Sequence, residues 1–156
     1  ENDTYYMIVG NKNENLIGQV VLCSSKNLTD WKFETILASN ESGKIGTMWE
    51  CPDFFQLGSK RVLICSPQDM KAQKYEFHNG HNSVYFLGDY DEKTHTFVKE
   101  LPHALDYGMD FYAPQTTELP DGRRRMDEIL GCMCDSKFTG LAGNDDSAEG
   151  TGIKRW

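Results

Sequence analysis

The sequence lacks long apolar runs and a surplus of basic residues, and each absence argues against a class of partner. Its longest uninterrupted apolar stretches are only a few residues, far short of the ~20 that a membrane-spanning helix needs. The 16 Lys and Arg residues are outnumbered by 24 Asp and Glu residues, which gives a formal net charge of −8 at pH 7. Because binding to a phosphate backbone favours a basic surface, we expect neither a nucleic acid nor a membrane as partner.

Cysteine is too irregularly spaced to form a disulfide framework. The cysteines number 5, at Cys23, Cys51, Cys65, Cys132 and Cys134. This odd count favours a reducing, cytoplasmic compartment. Cys132 and Cys134 stand closer together than a usual zinc-binding pair and no second pair follows, so we expect no metal site and no cofactor. Since the chain begins at Glu1 without an initiator methionine or a leader, we expect its true start to lie upstream.

Short runs of alternating or β-branched residues, separated by turn residues, indicate an all-β domain. The predicted strands are Tyr5–Gly10, Ile17–Ser24, Trp31–Ala38, Met48–Leu57, Arg61–Ser66, Ser83–Tyr90, Thr96–Glu100, Phe111–Glu118 and Arg124–Met133. Turns at 58–60, 91–95 and 119–122 predict three antiparallel hairpins. We therefore assign residues 1–134 to one domain and residues 135–156, which are rich in Gly, Asp, Ser and Thr, to a polar, poorly ordered tail.

Many short strands joined by hairpins are typical of a sandwich, a barrel or a propeller. Two unusual segments, Met48–Phe55 and Leu105–Gln115, favour the propeller because about one four-stranded blade separates them. Equivalent strands of a propeller converge on one axis, so the acidic residues of both segments would face a common pocket.

Glu50 is the first candidate for chemistry, in the run Met48–Phe55. Apolar and aromatic neighbours disfavour the charged form of a carboxyl group, which suits it to donate a proton near neutral pH. Pro52 removes a hydrogen-bond donor from the strand, so we expect an edge, a bulge or a strand end there, where a side chain can be directed into a pocket. The alternative is that Glu50 is an ordinary outward-facing strand residue.

The second segment, Leu105–Gln115, combines two acids, two tyrosines and a glutamine. Carboxylates and amides bind sugar hydroxyl groups and aromatic faces pack on sugar rings, so the segment is a candidate sugar-binding surface. The alternative is a plain turn at Asp106–Asp110 that leads into a tyrosine-rich strand.

Taken together, the two segments resemble glycoside hydrolase family 32, the β-fructofuranosidases. The run Trp49-Glu50-Cys51-Pro52-Asp53 resembles the acid/base motif of that family, and Asp106-Tyr107-Gly108 with Asp110-Phe111-Tyr112-Ala113-Pro114-Gln115 resembles a second signature. Supporting matches are Ser66-Pro67-Gln68, Tyr85–Asp91, Tyr5–Gly10 and Leu28–Trp31. The resemblance covers roughly residues 4–125.

This resemblance implies a five-bladed β-propeller, of which the chain would form about two to three blades of four-stranded antiparallel sheets. It implies retaining hydrolysis of terminal β-fructofuranosides, in which two carboxyl groups about 5–5.5 Å apart flank the bond that is cleaved. By the same resemblance Glu50 is the general acid/base. Cys51 would line the fructosyl pocket, and Asp110 and Tyr112 would support binding and charge. The partner would be a sugar: sucrose, sucrose 6-phosphate or a fructan.

The sequence departs from the family at the nucleophile. No Asn-Asp-Pro motif is present, so we expect the nucleophilic aspartate upstream of Glu1 and no hydrolysis of sucrose by this chain alone. Beyond Arg124 the pattern changes, and Cys132 stands where the family places a pocket tryptophan. The alternative is a non-catalytic carbohydrate-binding or structural remnant of such a propeller, and a weaker one is a related glycosidase acting on arabinosides.

Overall fold

The computed structural model describes residues 3–108 and 111–130, and it contains ten strands within these ranges. Asp110, Cys132, Cys134 and the tail predicted at 135–156 lie outside the described residues. Within the described ranges, no helical segment has the length and apolar character that a bilayer crossing would require.

The first sheet is a three-stranded antiparallel meander. It contains β1 (Tyr5–Lys12), β2 (Gly18–Ser25) and β3 (Lys32–Ser39), in that order. Asn13 closes the first turn, because its side-chain oxygen accepts hydrogen bonds from the backbone N–H groups of Asn15 and Ile17. Such side-chain caps are why Asn is common in turns.

The second sheet is the centre of the molecule. It contains β4 (Met48–Leu57), β5 (Lys60–Gln68), β6 (Val84–Asp91) and β7 (Thr96–Lys99) in sequence order, and the short β8 (His103–Ala104) pairs with the start of β6. The third sheet is the hairpin of β9 (Phe111–Glu118) and β10 (Arg124–Leu130). All pairs are antiparallel, as short hairpin connections require.

The second sheet is covered on both faces, which makes β5 the most buried strand. Leu63 and Cys65 point into a core shared with the first sheet, whereas Val62 and Ile64 point into a smaller core that includes Met126 of β10. Successive side chains of a strand face opposite sides, so a strand between two layers is apolar at consecutive positions. The three sheets therefore stack as successive layers.

Two glycines set the distance between the first and second sheets. A Cβ atom at Gly10 would collide with the backbone oxygen of Trp49, and one at Gly18 would collide with the Trp49 indole ring. Trp49 is fully buried and donates a hydrogen bond from Nε1 to the Ile45 oxygen, 2.7 Å away. The absence of side chains at the two glycines thus allows β4 to lie directly against the first sheet.

The predicted all-β fold and the three predicted hairpins are confirmed, with strand ends shifted by a few residues. The two-residue strand β8 was not predicted, because it is too short to show alternation. Trp31 lies at the surface, 36% exposed, and its indole donates a hydrogen bond to the Leu28 oxygen in its own turn.

Candidate active site

A bulge at the start of β4 directs Glu50 out of the sheet. The register shifts between Glu50 and Asp53, so that Cys51 and Pro52 oppose a single residue of β5. Cys51 has a φ of 46°, in the left-handed region that non-glycine residues rarely adopt. The extra residue bends the strand, as bulges do next to functional sites. Of the edge, bulge or strand end that Pro52 predicted, the structure shows a bulge.

β9 contains a second bulge of the same form. Its register with β10 shifts where Ala113 and Pro114 oppose one residue, and Ala113 has a φ of 52°. In both strands the residue immediately before the left-handed position is the one that the sequence selected for chemistry, namely Glu50 in β4 and Tyr112 in β9.

The two bulged strands bring these side chains into contact, although they are 62 positions apart in sequence. The Tyr112 hydroxyl group donates a hydrogen bond to Glu50 Oε2 over 2.7 Å. Tyr112 is 7% exposed, whereas Glu50 is half-buried and lies between the protein interior and solvent. Burial and the hydrogen bond to Glu50 raise the pKa of Tyr112 far above its ordinary value. The phenol therefore stays a proton donor to the Glu50 carboxylate across the whole neutral range.

Ser66 of β5 contacts the second bulge and so links the second sheet to β9. Its Oγ accepts a hydrogen bond from the backbone N–H of Ala113 at 3.2 Å and lies 3.4 Å from Ser83 Oγ, and its carbonyl oxygen is 3.4 Å from the Tyr112 hydroxyl. Ser66 is fully buried. The N–H at the second bulge, which its own hairpin leaves unpaired, thus gains a partner from the neighbouring sheet.

Asp53 fixes the other end of the contact between β4 and β9. Its Oδ2 accepts hydrogen bonds from the backbone N–H of Thr116 at 2.9 Å and from Thr116 Oγ1 at 2.5 Å. In the opposite direction, Gln115 Nε2 donates to the Cys51 carbonyl oxygen at 3.3 Å. Because these hydrogen bonds join β4 to β9 beside the Glu50–Tyr112 pair, the fold itself fixes the geometry of the pair.

Cys51 and Asp110 remain predictions. Burial, and after it the charge of Glu50, raises the pKa of the Cys51 thiol. A thiol held neutral is a poor nucleophile, so this environment suits the lining of a pocket and not covalent chemistry. Asp110 lies outside the described residues. His81 is half-buried, and its ring centroid lies 5.8 Å from that of Tyr112.

Sequence reasoning assigned no role to Ser66 and Gln68, which the structure brings to the site. The Gln68 side chain hydrogen-bonds to that of Tyr112. The available signal was the run Ser66-Pro67-Gln68, which matched the family but carried no indication of what it would contact. Among residues 3–108 and 111–130, no three His, Cys, Asp or Glu side chains converge in a way that could hold a metal ion.

Comparison with known proteins places the chain in a family. Residues 1–136 match the model of the glycosyl hydrolases family 32 N-terminal domain. The chain is 45% identical over 130 residues to the sucrose-6-phosphate hydrolase of Bacillus subtilis (strain 168), covering 78% of this chain and 26% of that protein. It is 44% identical over 132 residues to a sucrose-6-phosphate hydrolase of Zymomonas mobilis, covering 80% of this chain and 26% of that protein. The chain thus spans about a quarter of the length of these relatives.

Solved structures agree in fold. A Bombyx mori β-fructofuranosidase of glycoside hydrolase family 32, solved as a mutant in complex with sucrose, superposes with a TM-score of 0.79 at 34% identity, over 85% of this chain and 28% of that one. A sucrose-6-phosphate hydrolase from Lactobacillus gasseri superposes with a TM-score of 0.71 at 27% identity, over 84% of this chain and 28% of that one. The stacked sheets are accordingly blades of a partial five-bladed β-propeller. The chain belongs to glycoside hydrolase family 32.

Proposed function

We propose that the protein containing this chain is a glycosidase that hydrolyses terminal β-D-fructofuranosides with retention of configuration, with Glu50 as general acid/base. The observation that carries this proposal is the hydrogen bond from Tyr112 to Glu50 Oε2, made at the bulge within Trp49-Glu50-Cys51-Pro52-Asp53. A half-buried carboxyl group with one oxygen held by a phenol has its other oxygen available for a proton. Such a group can protonate a leaving oxygen and later accept a proton from water.

The second carboxylate comes from outside the present sequence in this proposal. Retaining hydrolysis needs a nucleophile on the opposite side of the sugar, and the Asn-Asp-Pro motif of the family nucleophile is absent from these 156 residues. Asp53, the nearest acid in sequence, is occupied by Thr116 through its Oδ2. We therefore expect the 156-residue chain by itself not to release glucose from sucrose.

Sucrose 6-phosphate is the substrate that the relatives favour. Both relatives above 40% identity named here are sucrose-6-phosphate hydrolases, and the Bombyx mori structure contains sucrose. We propose a sucrose-type disaccharide with its fructosyl ring beside Cys51 and Tyr112, with Asp110 on the same sugar. No metal or other cofactor takes part in the proposed reaction.

The test is Glu50→Gln in the full-length protein that contains this chain. The amide keeps the shape of the carboxyl group but has no proton to donate, so kcat for sucrose and for sucrose 6-phosphate should fall roughly 10²–10⁴-fold. Because a nitrophenolate leaves without protonation, kcat/KM for a nitrophenyl β-fructofuranoside, which reports the first step alone, should fall much less than kcat/KM for sucrose. Steady-state kinetics on both substrate types measure this difference.

Glu118→Gln is the matched control, because Glu118 is exposed near the far end of β9; its kinetics should equal those of the wild type. Equal losses of kcat/KM on the nitrophenyl substrate and on sucrose would remove Glu50 from the acid/base role. Binding of fructosides without turnover by the unmutated full-length protein would favour the non-catalytic carbohydrate-binding alternative.

A further inference from the structure

A cavity of about 680 Å³ opens at the end of the sheets where Glu50 lies. Its walls come from three loops: the β1–β2 turn at 15–17, the β3–β4 loop at 40–47 and the segment after β5 at 69–73. The volume is within the usual range of small-molecule pockets. The proposed chemistry of Glu50 and Tyr112 does not use this cavity.

Hydrogen bonds hold the walls in place. Asn40 is buried, donates from Nδ2 to the Gly46 oxygen at 2.6 Å, and accepts at Oδ1 from the Ile45 N–H at 3.1 Å. Thr47 Oγ1 donates to Asp69 Oδ2 at 2.6 Å, which joins the second wall to the third. The shape is therefore preorganised, so a ligand would not have to order these loops.

Two cations line the cavity without ion-pair partners. Lys44 and Lys71 are both exposed, and neither ammonium group pairs with a carboxylate of residues 3–108 or 111–130. The contrast with a second cavity, of about 540 Å³, is informative. The cation there, Arg61, is already bound to Glu92 at 2.9 Å. In a chain of net charge −8, two unpaired lysines on two walls of one cavity form a local positive region that favours an anionic ligand.

The wall of the cavity formed by the β3–β4 loop leads directly into the strand that carries Glu50. Thr47, which lines it, precedes Glu50 by three positions, or roughly 10 Å along an extended strand. Gln68 lies between the two places: its side chain reaches Tyr112, and the next residue, Asp69, lines the cavity. A hexosyl group whose glycosidic oxygen contacts Glu50 can therefore place a phosphate ester on its far side in the cavity.

We propose that Lys44 and Lys71 form the subsite for the phosphate of a phosphorylated disaccharide, and that they select sucrose 6-phosphate over sucrose. This inference depends on the proposed function for the identity of the sugar. Lysine is a common phosphate binder that acts as a point charge. Asp69 in the same wall has its Oδ2 occupied by Thr47, and its charge opposes the phosphate and tunes the affinity.

The experiment measures binding of glucose 6-phosphate and of glucose, by calorimetry, to the chain and to its variants. Lys44→Met and Lys71→Met should each raise the Kd for glucose 6-phosphate roughly tenfold, the value of one charged hydrogen bond, and leave the Kd for glucose unchanged. Asp69→Asn should lower the Kd for glucose 6-phosphate several-fold, and asparagine tolerates the positive φ of 58° found there. Lys26→Met, on an exposed turn between β2 and β3, is the matched control.

Unchanged glucose 6-phosphate binding in both lysine variants overturns the inference, as does an equal loss in Lys26→Met or no binding by the wild type. Binding does not involve proton transfer by Glu50, so Glu50→Gln should retain it. If glucose 6-phosphate binds as expected and the full-length protein hydrolyses no fructoside, the proposed function fails and the phosphate subsite stands.

Discussion

β4 and β9 each contain a bulge with a residue of positive φ, but the two bulges are stabilised in different ways. In β4, the residue before Glu50 is Trp49, which anchors the strand in the main core. In β9, the backbone beside Tyr112 relies on Ser66, a side chain from the neighbouring sheet. The first bulge is therefore anchored in the core between the first and second sheets, whereas the second depends on β5 of the second sheet being in place. The comparison shows that one local geometry can present an acid in one layer and its hydrogen-bond donor in the next.

The largest expected effect is on the anchor of the first bulge. Trp49→Ala removes a fully buried indole and its hydrogen bond to Ile45, and we expect the free energy of unfolding to fall by about 3–5 kcal/mol. Trp31→Ala, at the surface, should cost within about 1 kcal/mol. Urea unfolding of both variants measures the difference. Equal losses would contradict the role of Trp49 as the anchor.

Ser66→Ala should weaken the second bulge and spare the first. It leaves the buried N–H of Ala113 without an acceptor, which costs about 1–3 kcal/mol in the free energy of unfolding. Ser59→Ala, in the exposed β4–β5 turn, should change stability by less than about 0.5 kcal/mol. Hydrogen exchange at Ala113 should accelerate in Ser66→Ala, while exchange in β4 stays slow. Uniform acceleration in both strands would show that the bulges are not supported separately.

At alkaline pH the free energy of unfolding should fall because of the buried phenol of Tyr112 at the second bulge. The pKa of Tyr112 is raised in the folded state, so its contribution to stability is complete below the unfolded pKa of about 10 and is lost as the pH rises above that value. The loss is at most about 1.4 kcal/mol per pH unit. Tyr112→Phe should therefore have a flatter dependence of unfolding free energy on pH above 10 than the wild type. Parallel curves would mean that the hydroxyl is as solvated in the folded chain as in the unfolded one.

The smallest expected effect comes from substituting the two residues of positive φ, Cys51 and Ala113. Glycine tolerates positive φ without the steric penalty of a Cβ, so Ala113→Gly should stabilise the chain by up to about 1 kcal/mol. Because the two bulges have φ values of 46° and 52°, Cys51→Gly should exceed Cys51→Ala in stability by a similar amount. Thermal unfolding of the three variants tests this equality. A gain at only one position would show that the two bulges store different strain.

Most of the fold could be predicted from the sequence, because strands and turns are local. Alternation in runs such as Ser83–Tyr90 and turn residues such as Asp121 and Gly122 fix where a strand begins and ends. The two-residue strand β8 could not be predicted, since its pairing with β6 is decided by what lies beside it and not by its own residues.

The sequence predicted which residues form the candidate site, but it could not predict the contacts that these residues make with one another. The motifs identified Glu50 and Tyr112, and Pro52 marked the position where β4 bulges, whereas the bulge of β9 was not predicted. The hydrogen bond between the two side chains depends on how closely β4 and β9 approach, which Asp53, Ser66 and Thr116 determine. None of these three residues shows its role in the sequence, because each acts across a sheet boundary.

The glycines between the first two sheets have a consequence for how this protein can vary. In a library of single substitutions selected for stable folding, positions 10 and 18 should tolerate almost nothing, since any added atom displaces the tryptophan next to Glu50. A map of tolerated changes would then rank two residues without side chains alongside the buried Trp49. Intolerance to substitution at these positions would reflect the distance between the first and second sheets and not a chemical role of the two glycines.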